Sequence, residues 1–378
     1  MKDRIVVVAV FAVVIGSAVG FQLAGSDHSK PRLAAPPAPP AAPVSVGQFR
    51  GFCLQLNNGQ ENHPYEQYIE EIAATGANTI CLAVPAFQEN GASTSIFIDL
   101  RKAPTSRRLG ELMDLARAKG LRVVLMPMVL LENARAQEWR GKIEPANWQD
   151  WWEDYENLIM HYVWLAEAHQ ADMFMIGSEL LSTESHEDRW RNLIARVRKA
   201  YQGRLCYSAN WDHYKSVTWW GDLDLVGMTT YHDLTGGEPP TLERMLEAWD
   251  SIKQQVLEWQ AEIQRPILFT EVGWPNQDTA PQYPWDYYRR VDNPAPDLQA
   301  RCFESFFQAW QHEPAVAGYL IWEWRNYPSQ VTDPSHDTSY VPCDKPAMDI
   351  IRRYMRIPPP EQTAAAQAQE QAAPIANN

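Results

Sequence analysis

Two glutamates each stand at the end of a short apolar run. Glu179 closes the run in FMIGSEL (174–180), and Glu271 closes the run in LFTEVGW (268–274). Such a carboxylate is either a solvated charge at a strand end or one member of a pair that faces a shared site. Two carboxyl groups about 5–5.5 Å apart could serve as nucleophile and acid/base in retaining glycoside hydrolysis, whereas about 6.5–9.5 Å would suit inversion. The elements that position the two side chains decide between these possibilities.

Apolar runs alternate with amphipathic patterns through most of the chain. Strands are predicted at 50–56, 78–87, 121–131, 172–178, 204–209, 223–231, 266–271 and 316–323. Helices are predicted at 65–76, 106–120, 147–170, 187–201, 241–264, 296–312 and 344–356. Near-continuous apolar strands separated by amphipathic helices indicate a parallel sheet covered on its outer face, and eight of them predict an α/β fold, a (β/α)8 TIM barrel. A doubly wound open sheet is the alternative, but no G-x-G-x-x-G follows the first strand.

Four residues then fall at the strand ends where such barrels carry their active sites. Glu179 ends the fourth predicted strand and Glu271 ends the seventh. Tyr231 ends the sixth strand, and a hydroxyl beside the nucleophile could hold its carboxylate and stabilise the ionised form. Trp322 lies near the end of the eighth strand, where an aromatic ring could form the floor for a sugar. The two glutamates are therefore predicted to be catalytic.

These segments resemble the clan A glycoside hydrolases, and more closely glycoside hydrolase family 113, whose characterised members are largely β-mannanases. The resemblance covers roughly residues 48–356 and lies in four motifs: F-x-x-G-x-E-L (174–180), F-x-E-x-G (269–273), W-x-W (322–324) and W-R-G-x-I-x-P (139–145). It implies a retaining endo-β-1,4-mannanase with Glu271 as nucleophile and Glu179 as acid/base. No cofactor is required by this chemistry. A retaining glycosidase of a β-glucan, an inverting hydrolase and a catalytically silent carbohydrate-binding barrel are the alternatives.

One position departs from the clan's common pattern. Ser178 precedes Glu179 where the clan commonly places an asparagine that hydrogen-bonds the sugar 2-hydroxyl. Asn210, at the end of the fifth strand, is a candidate replacement, and loop capping is its alternative role. The 2-hydroxyl distinguishes mannose from glucose, so the choice of glycan is left open at this point.

Further candidates lie in segments that come after strands. Trp139 and Trp274 are predicted to bind substrate, because glycan subsites need aromatic platforms. The same placement holds for Trp211, Trp219, Trp220 and Trp285, and about half of all these tryptophans are expected to pack in the core or in loops. Arg140 either contacts substrate hydroxyls or pairs with an acidic neighbour. The charged segment ESHEDR (184–189) lacks the spacing of a metal site and is interpreted as solvated surface.

Composition narrows the classes of partner. The 378 residues carry 33 Lys and Arg against 47 Asp and Glu, a net charge of −14, which disfavours nucleic acid as a partner. A polysaccharide or oligosaccharide is the expected partner, and the oligomeric state is left open. The five cysteines form no C-x-x-C pair and are interpreted mostly as buried small apolar residues, with one disulfide left open.

The chain ends differ in composition from the middle. Lys2 and Arg4 precede the uncharged stretch 5–21, so residues 1–24 are predicted to be a signal peptide or an N-terminal membrane anchor, with a buried core helix as the alternative. Residues 25–45 are a Pro/Ala-rich linker, 46–357 the single catalytic domain, and 358–378 a disordered Ala/Gln-rich tail. The protein is accordingly expected to be exported, either secreted or tethered to the membrane facing outward.

Overall fold

A closed barrel of eight parallel strands forms the centre of the protein. The computed structural model describes residues 48–286, 293–326 and 333–356. The barrel strands are Phe49–Gln55 (β1), Thr79–Gln88 (β2), Arg122–Leu131 (β3), Met173–Ser178 (β4), Arg204–Ala209 (β5), Val226–Thr229 (β6), Ile267–Val272 (β7) and Val316–Ile321 (β8). Each pairs in parallel with its neighbours, and β1 pairs with both β2 and β8, which closes the ring. The predicted (β/α)8 barrel is confirmed.

Within the described ranges, seven α-helices surround the barrel. They are Tyr65–Ala74 (α1), Ser106–Ala118 (α2), Trp148–Ala168 (α3), Glu187–Ala200 (α4), Leu242–Ile263 (α5), Pro296–Trp310 (α6) and Pro346–Met355 (α7). Helices α2, α3 and α5 are each capped by the residue that precedes them. The side-chain oxygens of Thr105, Asn147 and Thr241 accept hydrogen bonds from backbone N–H groups of the first turn. Between β5 and β6 the chain makes two short 3-10 turns, Tyr214–Ser216 and Trp220–Asp222. The predicted helices are thus confirmed to within a few residues.

The sixth strand is shorter than the predicted 223–231. It spans Val226–Thr229, because the Asp224 carboxylate accepts the backbone N–H of Leu205 at 2.7 Å and so replaces a ladder bond at the strand's start. Tyr231 consequently lies beyond the strand, in the loop above it. This places its long side chain at the rim of the barrel, where the neighbouring strand β7 also ends.

Two apolar layers stabilise the barrel. Small and sulfur-containing side chains fill its interior, among them Cys53, Cys81, Met126, Met175 and Cys206. Large aromatic rings fill the layer between strands and helices, including the fully buried Trp151, Trp190, Trp249 and Trp310. Side chains of a strand alternate between these layers. All five cysteines are buried and unbridged, so the interpretation of them as apolar core residues is confirmed.

The predicted leader, linker and tail all lie outside the described residues. Residues 1–24, 25–45 and 358–378 belong to the ranges about which the structure says nothing, and their assignments stay predictions. Over the described ranges, every helix is either too short or too polar to cross a bilayer.

A close backbone contact explains the glycine of the F-x-E-x-G motif. A Cβ atom on Gly273 would lie 2.2 Å from the carbonyl oxygen of Trp322, well inside contact distance. We expect Gly273→Ala to lower the free energy of unfolding by about 1–3 kcal/mol, because two strand ends would have to separate. Urea denaturation measures the loss, and Gly221→Ala is the control, since nothing lies within 4 Å of its Cβ position. Equal stability of the two variants would contradict the contact.

Candidate active site

The two predicted catalytic glutamates lie at one site, held together by an arginine. Glu179 directly follows β4, and Glu271 is the next-to-last residue of β7. Nη2 of Arg140 lies 2.6 Å from Oε2 of Glu179 and 3.8 Å from Oε1 of Glu271. Because both distances share one nitrogen atom, these two carboxylate oxygens are at most about 6.4 Å apart. Arg140 was predicted either to contact substrate hydroxyls or to pair with an acidic neighbour, and in the structure it pairs with acidic neighbours.

The two oxygens of Glu271 differ in their surroundings. The Tyr231 hydroxyl donates a hydrogen bond of 2.8 Å to Oε2. Oε1 is buried and accepts no hydrogen bond from any described residue, and Nη2 of Arg140 lies 3.8 Å from it. Tyr231 therefore fixes the carboxylate through one oxygen and leaves the lone pairs of the other uncommitted.

Glu179 owes its position to an unusual backbone conformation. It adopts a left-handed φ of 52°, which is uncommon for a residue with a Cβ atom. Its own N–H donates to the carbonyl of Ser208 on β5 at 2.8 Å, and the pairing of β4 with β5 shifts register just before this point. The strand ladder thus ends at Glu179, and the side chain reaches Arg140 instead of continuing the inward and outward alternation.

The electrostatics of the pair favour a single shared proton. Burial, and then the neighbouring charge of Glu179, raise the pKa of Glu271 to about 8, against the lowering effects of Arg140 and the Tyr231 hydrogen bond. Burial also raises the pKa of Glu179, which Arg140 and a hydrogen bond from Thr229 oppose. Two buried carboxylates around one guanidinium cannot both ionise cheaply. At neutral pH the pair can therefore share one proton, and acid and nucleophile chemistry needs that proton on Glu179.

The site contains a third carboxylate, Glu323, that the sequence analysis did not identify. Glu323 lies between the two tryptophans of the W-x-W motif, just after β8, and its Oε2 accepts a hydrogen bond from the Gln55 side chain at the end of β1. Burial raises the pKa of Glu323 to about 7, and its charge in turn raises the pKa of Glu271. A carboxylate directly after an apolar strand was the signal that could have identified it, as it identified Glu271.

Three of the residues predicted to bind substrate, Trp322, Trp139 and Asn210, are partly exposed to solvent. Trp322 is half-buried directly after β8, and Trp139 is half-buried beside Arg140 with its ring folded over Gly141. Asn210 follows β5, and its amide oxygen accepts no hydrogen bond from any residue that the structure describes. Among the described residues its side chain therefore caps no loop through that oxygen.

Several of the tryptophans in segments that come after strands are core residues and not substrate-binding residues. Trp274 is completely buried, with its ring centroid 5.2 Å from Phe303 and 6.4 Å from Trp249. After β7 ends, this side chain packs against α5 and α6 and offers no surface to a sugar, so the prediction that Trp274 binds substrate is wrong. Trp219 and Trp220 are buried in the same outer layer, whereas Trp211 is half-buried and Trp285 is 48% exposed.

The charged segment 184–189 is also not simply solvated surface. Glu184 is only 4% exposed, and hydroxyl groups of Tyr207 and Ser216 donate hydrogen bonds to its carboxylate. Within the described ranges, no group of three or more His, Cys, Asp or Glu side chains is placed to hold a metal ion.

Comparison with known proteins places this geometry in one family. A family description of glycoside hydrolase family 113 matches residues 52–345. The GH113 β-mannanase AaManA from Alicyclobacillus acidocaldarius, in complex with ManMIm, is 28% identical with a TM-score of 0.73, over 82% of this chain and 97% of that one. A GH113 β-1,4-mannanase is 24% identical with a TM-score of 0.75, over 83% of this chain and 100% of its own. A family 5 mannosidase from Rhizomucor miehei shares the fold at 10% identity, with a TM-score of 0.56 over 86% of this chain and 95% of that one. No relative is found among curated protein sequences.

Proposed function

This chain belongs to glycoside hydrolase family 113, and we propose that it is a retaining endo-β-1,4-mannanase. The observation that carries the proposal is the pair Glu179 and Glu271, bridged by Arg140 at the carboxyl end of the barrel. The two bridged oxygens are at most about 6.4 Å apart. This is compatible with the roughly 5–5.5 Å between the carboxyl groups of retaining enzymes, in which one carboxylate attacks the anomeric carbon directly.

In the first step, Glu271 is the nucleophile. Its Oε1, free of hydrogen bonds among the described residues, forms a bond to the anomeric carbon as the glycosidic C–O bond breaks. Glu179 donates its proton to the departing oxygen, so the leaving sugar chain departs as an alcohol. The hydrogen bond from Tyr231 to Oε2 holds the carboxylate in line during this attack.

In the second step, Glu179 acts as a base. Now ionised, it removes a proton from water, and the resulting oxygen nucleophile attacks the anomeric carbon and releases Glu271 as a carboxylate. Two inversions at one carbon give net retention. The first step needs Glu271 ionised and Glu179 protonated, so activity should fall at low pH, where both carboxyl groups are protonated, and at high pH, where both are ionised.

The choice of mannan is supported by the relatives and by the site's lining. The solved family 113 relatives are named as β-mannanases, and AaManA is the more similar in sequence of the two. Trp322 and Trp139, both half-buried at the rim, can offer ring faces to successive sugars. The uncommitted amide oxygen of Asn210 is an acceptor for a sugar hydroxyl and is our candidate for the 2-hydroxyl, because Ser178 is too short to take the asparagine's part.

A glycan panel tests the proposed function. The full chain is incubated with mannan, glucomannan, xylan, cellulose and β-1,3-glucan, and released reducing ends and product lengths are measured. We expect internal cleavage of mannan and glucomannan to short oligosaccharides, and none by a variant carrying Glu179→Gln and Glu271→Gln. Cleavage of glucans alone, release of single sugars from chain ends, or binding of mannan without cleavage would each contradict the mannanase proposal.

Loss of the Tyr231 hydroxyl should move the acidic limb of the pH profile. The hydrogen bond from Tyr231 lowers the pKa of Glu271, so Tyr231→Phe raises it, and the nucleophile becomes protonated at a higher pH. A hydrogen bond to a charged group is worth about 1.5–3 kcal/mol, so the limb should move up by about one pH unit or more. The pH dependence of kcat/KM measures this.

The matched control for that variant is Tyr319→Phe. Tyr319 is also buried, but its hydroxyl contacts the sulfur of Met355, outside the site. Its pH profile should coincide with that of the unmodified enzyme. An unmoved acidic limb in Tyr231→Phe would show that the hydroxyl does not stabilise the charge on Glu271.

A further inference from the structure

Another buried carboxylate, that of Glu184, lies five residues after the proposed acid/base residue Glu179. Oε1 of Glu184 accepts a hydrogen bond of 2.8 Å from the Tyr207 hydroxyl, and Oε2 accepts one of 3.2 Å from the Ser216 hydroxyl. Glu184 is 4% exposed, and these hydrogen bonds join its carboxylate to the two hydroxyl groups and not to the catalytic pair. The two reaction steps use neither Glu184 nor Tyr207, so their arrangement needs another explanation.

The Tyr207 hydroxyl links Glu184 to the backbone of the active site. A tyrosine hydroxyl has one proton, and here it is donated to Glu184, so its lone pairs are directed to accept. They accept the backbone N–H of Leu180, the residue after Glu179, at 2.9 Å. Glu184 thus orients the hydroxyl so that it presents an acceptor to this N–H group.

The position of Tyr207 leaves its hydroxyl little freedom. Tyr207 is completely buried on the outer side of β5, with ring centroids of Trp190 and Trp219 at 5.3 Å and 5.0 Å. A Cβ atom on Gly177 would lie 3.1 Å from the Tyr207 ring, so the glycine of the F-x-x-G-x-E-L motif leaves room for it. The acceptor offered to Leu180 is therefore fixed in space.

The backbone at Glu179 needs such support. Its left-handed conformation is strained for a residue with a Cβ atom and persists only where the surroundings impose it. Two consecutive N–H groups are held from β5: that of Glu179 by the Ser208 carbonyl at 2.8 Å and that of Leu180 by the Tyr207 hydroxyl at 2.9 Å. Only the second of these acceptors is a side chain, and so open to substitution.

We propose that Tyr207 and Glu184 are positioning residues that hold the backbone of Glu179 so that its carboxyl group meets the glycosidic oxygen. This inference rests on the proposed role of Glu179 as the acid/base residue. Without the hydroxyl, the buried N–H of Leu180 loses its partner, and the peptide rotates to find another. The carboxyl group then moves with it, and displacements of about 1 Å can cost on the order of a hundredfold in rate.

The test is the leaving-group dependence of Tyr207→Phe. Protonation matters for the sugar alcohol released from a manno-oligosaccharide and not for a dinitrophenolate leaving group. We expect kcat/KM for manno-oligosaccharides to fall at least about tenfold, while kcat/KM for a dinitrophenyl β-mannoside changes less than about twofold. The acid/base role of Glu179 also sets the basic limb of the pH profile, which should move in this variant. Equal losses on both substrates with an unmoved pH profile would overturn the inference.

Two further variants separate positioning from general stability. Tyr201→Phe removes a buried hydroxyl that donates to the Ala171 carbonyl at 2.7 Å, at the opposite end of the barrel, and should leave the ratio of the two substrates unchanged. Glu184→Gln keeps an acceptor for Tyr207 and should change the ratio of the two substrates less than Tyr207→Phe does. A larger change of the ratio in Glu184→Gln than in Tyr207→Phe would contradict the proposed order of contacts. If the unmodified enzyme cleaves neither substrate, the proposed function fails, and the inference fails with it.

Discussion

Glu271→Ala should reduce turnover of manno-oligosaccharides by at least about 10⁴-fold. The variant lacks the oxygen that bonds to the anomeric carbon, and the remaining groups can still bind the sugar without forming the intermediate. Tyr231 and Arg140, which now contact the carboxylate, would face a small cavity. Steady-state rates against purified manno-oligosaccharides measure the loss.

Azide distinguishes loss of the nucleophile from loss of structure. The anion should enter the space vacated by the Glu271 carboxylate, next to the Arg140 guanidinium, and attack a dinitrophenyl β-mannoside to give the inverted α-mannosyl azide. Glu243→Ala, an exposed glutamate on α5, should keep full activity and form no azide adduct. A rate for Glu271→Ala near that of the unmodified enzyme would remove Glu271 from the nucleophile role.

Glu179→Ala should be the second most damaging change, with a loss that depends on the leaving group. We expect turnover of manno-oligosaccharides to fall by about 10²–10⁴-fold, the usual contribution of a positioned acid. Glycosylation by a dinitrophenyl β-mannoside should be nearly unaffected, because that leaving group needs no proton. Pre-steady-state release of dinitrophenol measures this step separately from the subsequent hydrolysis.

In this variant azide should give the opposite stereochemistry. The glycosyl-enzyme on Glu271 still forms, and azide takes the place of the water that Glu179 would have activated, so the product is the β-mannosyl azide. An α-mannosyl azide from Glu179→Ala, or a uniform loss on all leaving groups, would mean that the roles of Glu179 and Glu271 are assigned the wrong way round.

The barrel and the meeting of the two glutamates were predictable from sequence for a simple reason. The eight barrel strands are parallel, so all their carboxyl ends fall on the same rim, and a residue needs only to end a barrel strand to reach it. The apolar runs located β4 and β7 within about two residues. This accuracy was enough to place Glu179 and Glu271 at the strand ends. Tyr231 was placed by the same reasoning, although its strand ends earlier than predicted.

The segment after a strand is less predictable than the strand itself. Trp274 and Trp322 both come shortly after a strand end, yet one packs outward against Phe303 and the other stays half-buried at the rim. Gly273, directly before Trp274, lies against the Trp322 backbone, a contact that no local pattern encodes. The burial of Glu184 likewise depends on partners about 20 to 30 positions further along the chain, and its local sequence is typical of a surface.

The anomeric configuration of the first product tests the central claim most directly. Hydrolysis of a manno-oligosaccharide can be followed by proton NMR before mutarotation, with the full chain and with the variant Glu271→Ala as the blank. Two glutamates that act in succession on one carbon predict internal cleavage in which the new reducing end appears first as the β-anomer. A new reducing end that appears first as the α-anomer, or no cleavage of the manno-oligosaccharide, would contradict the retaining mannanase with Glu271 as its nucleophile.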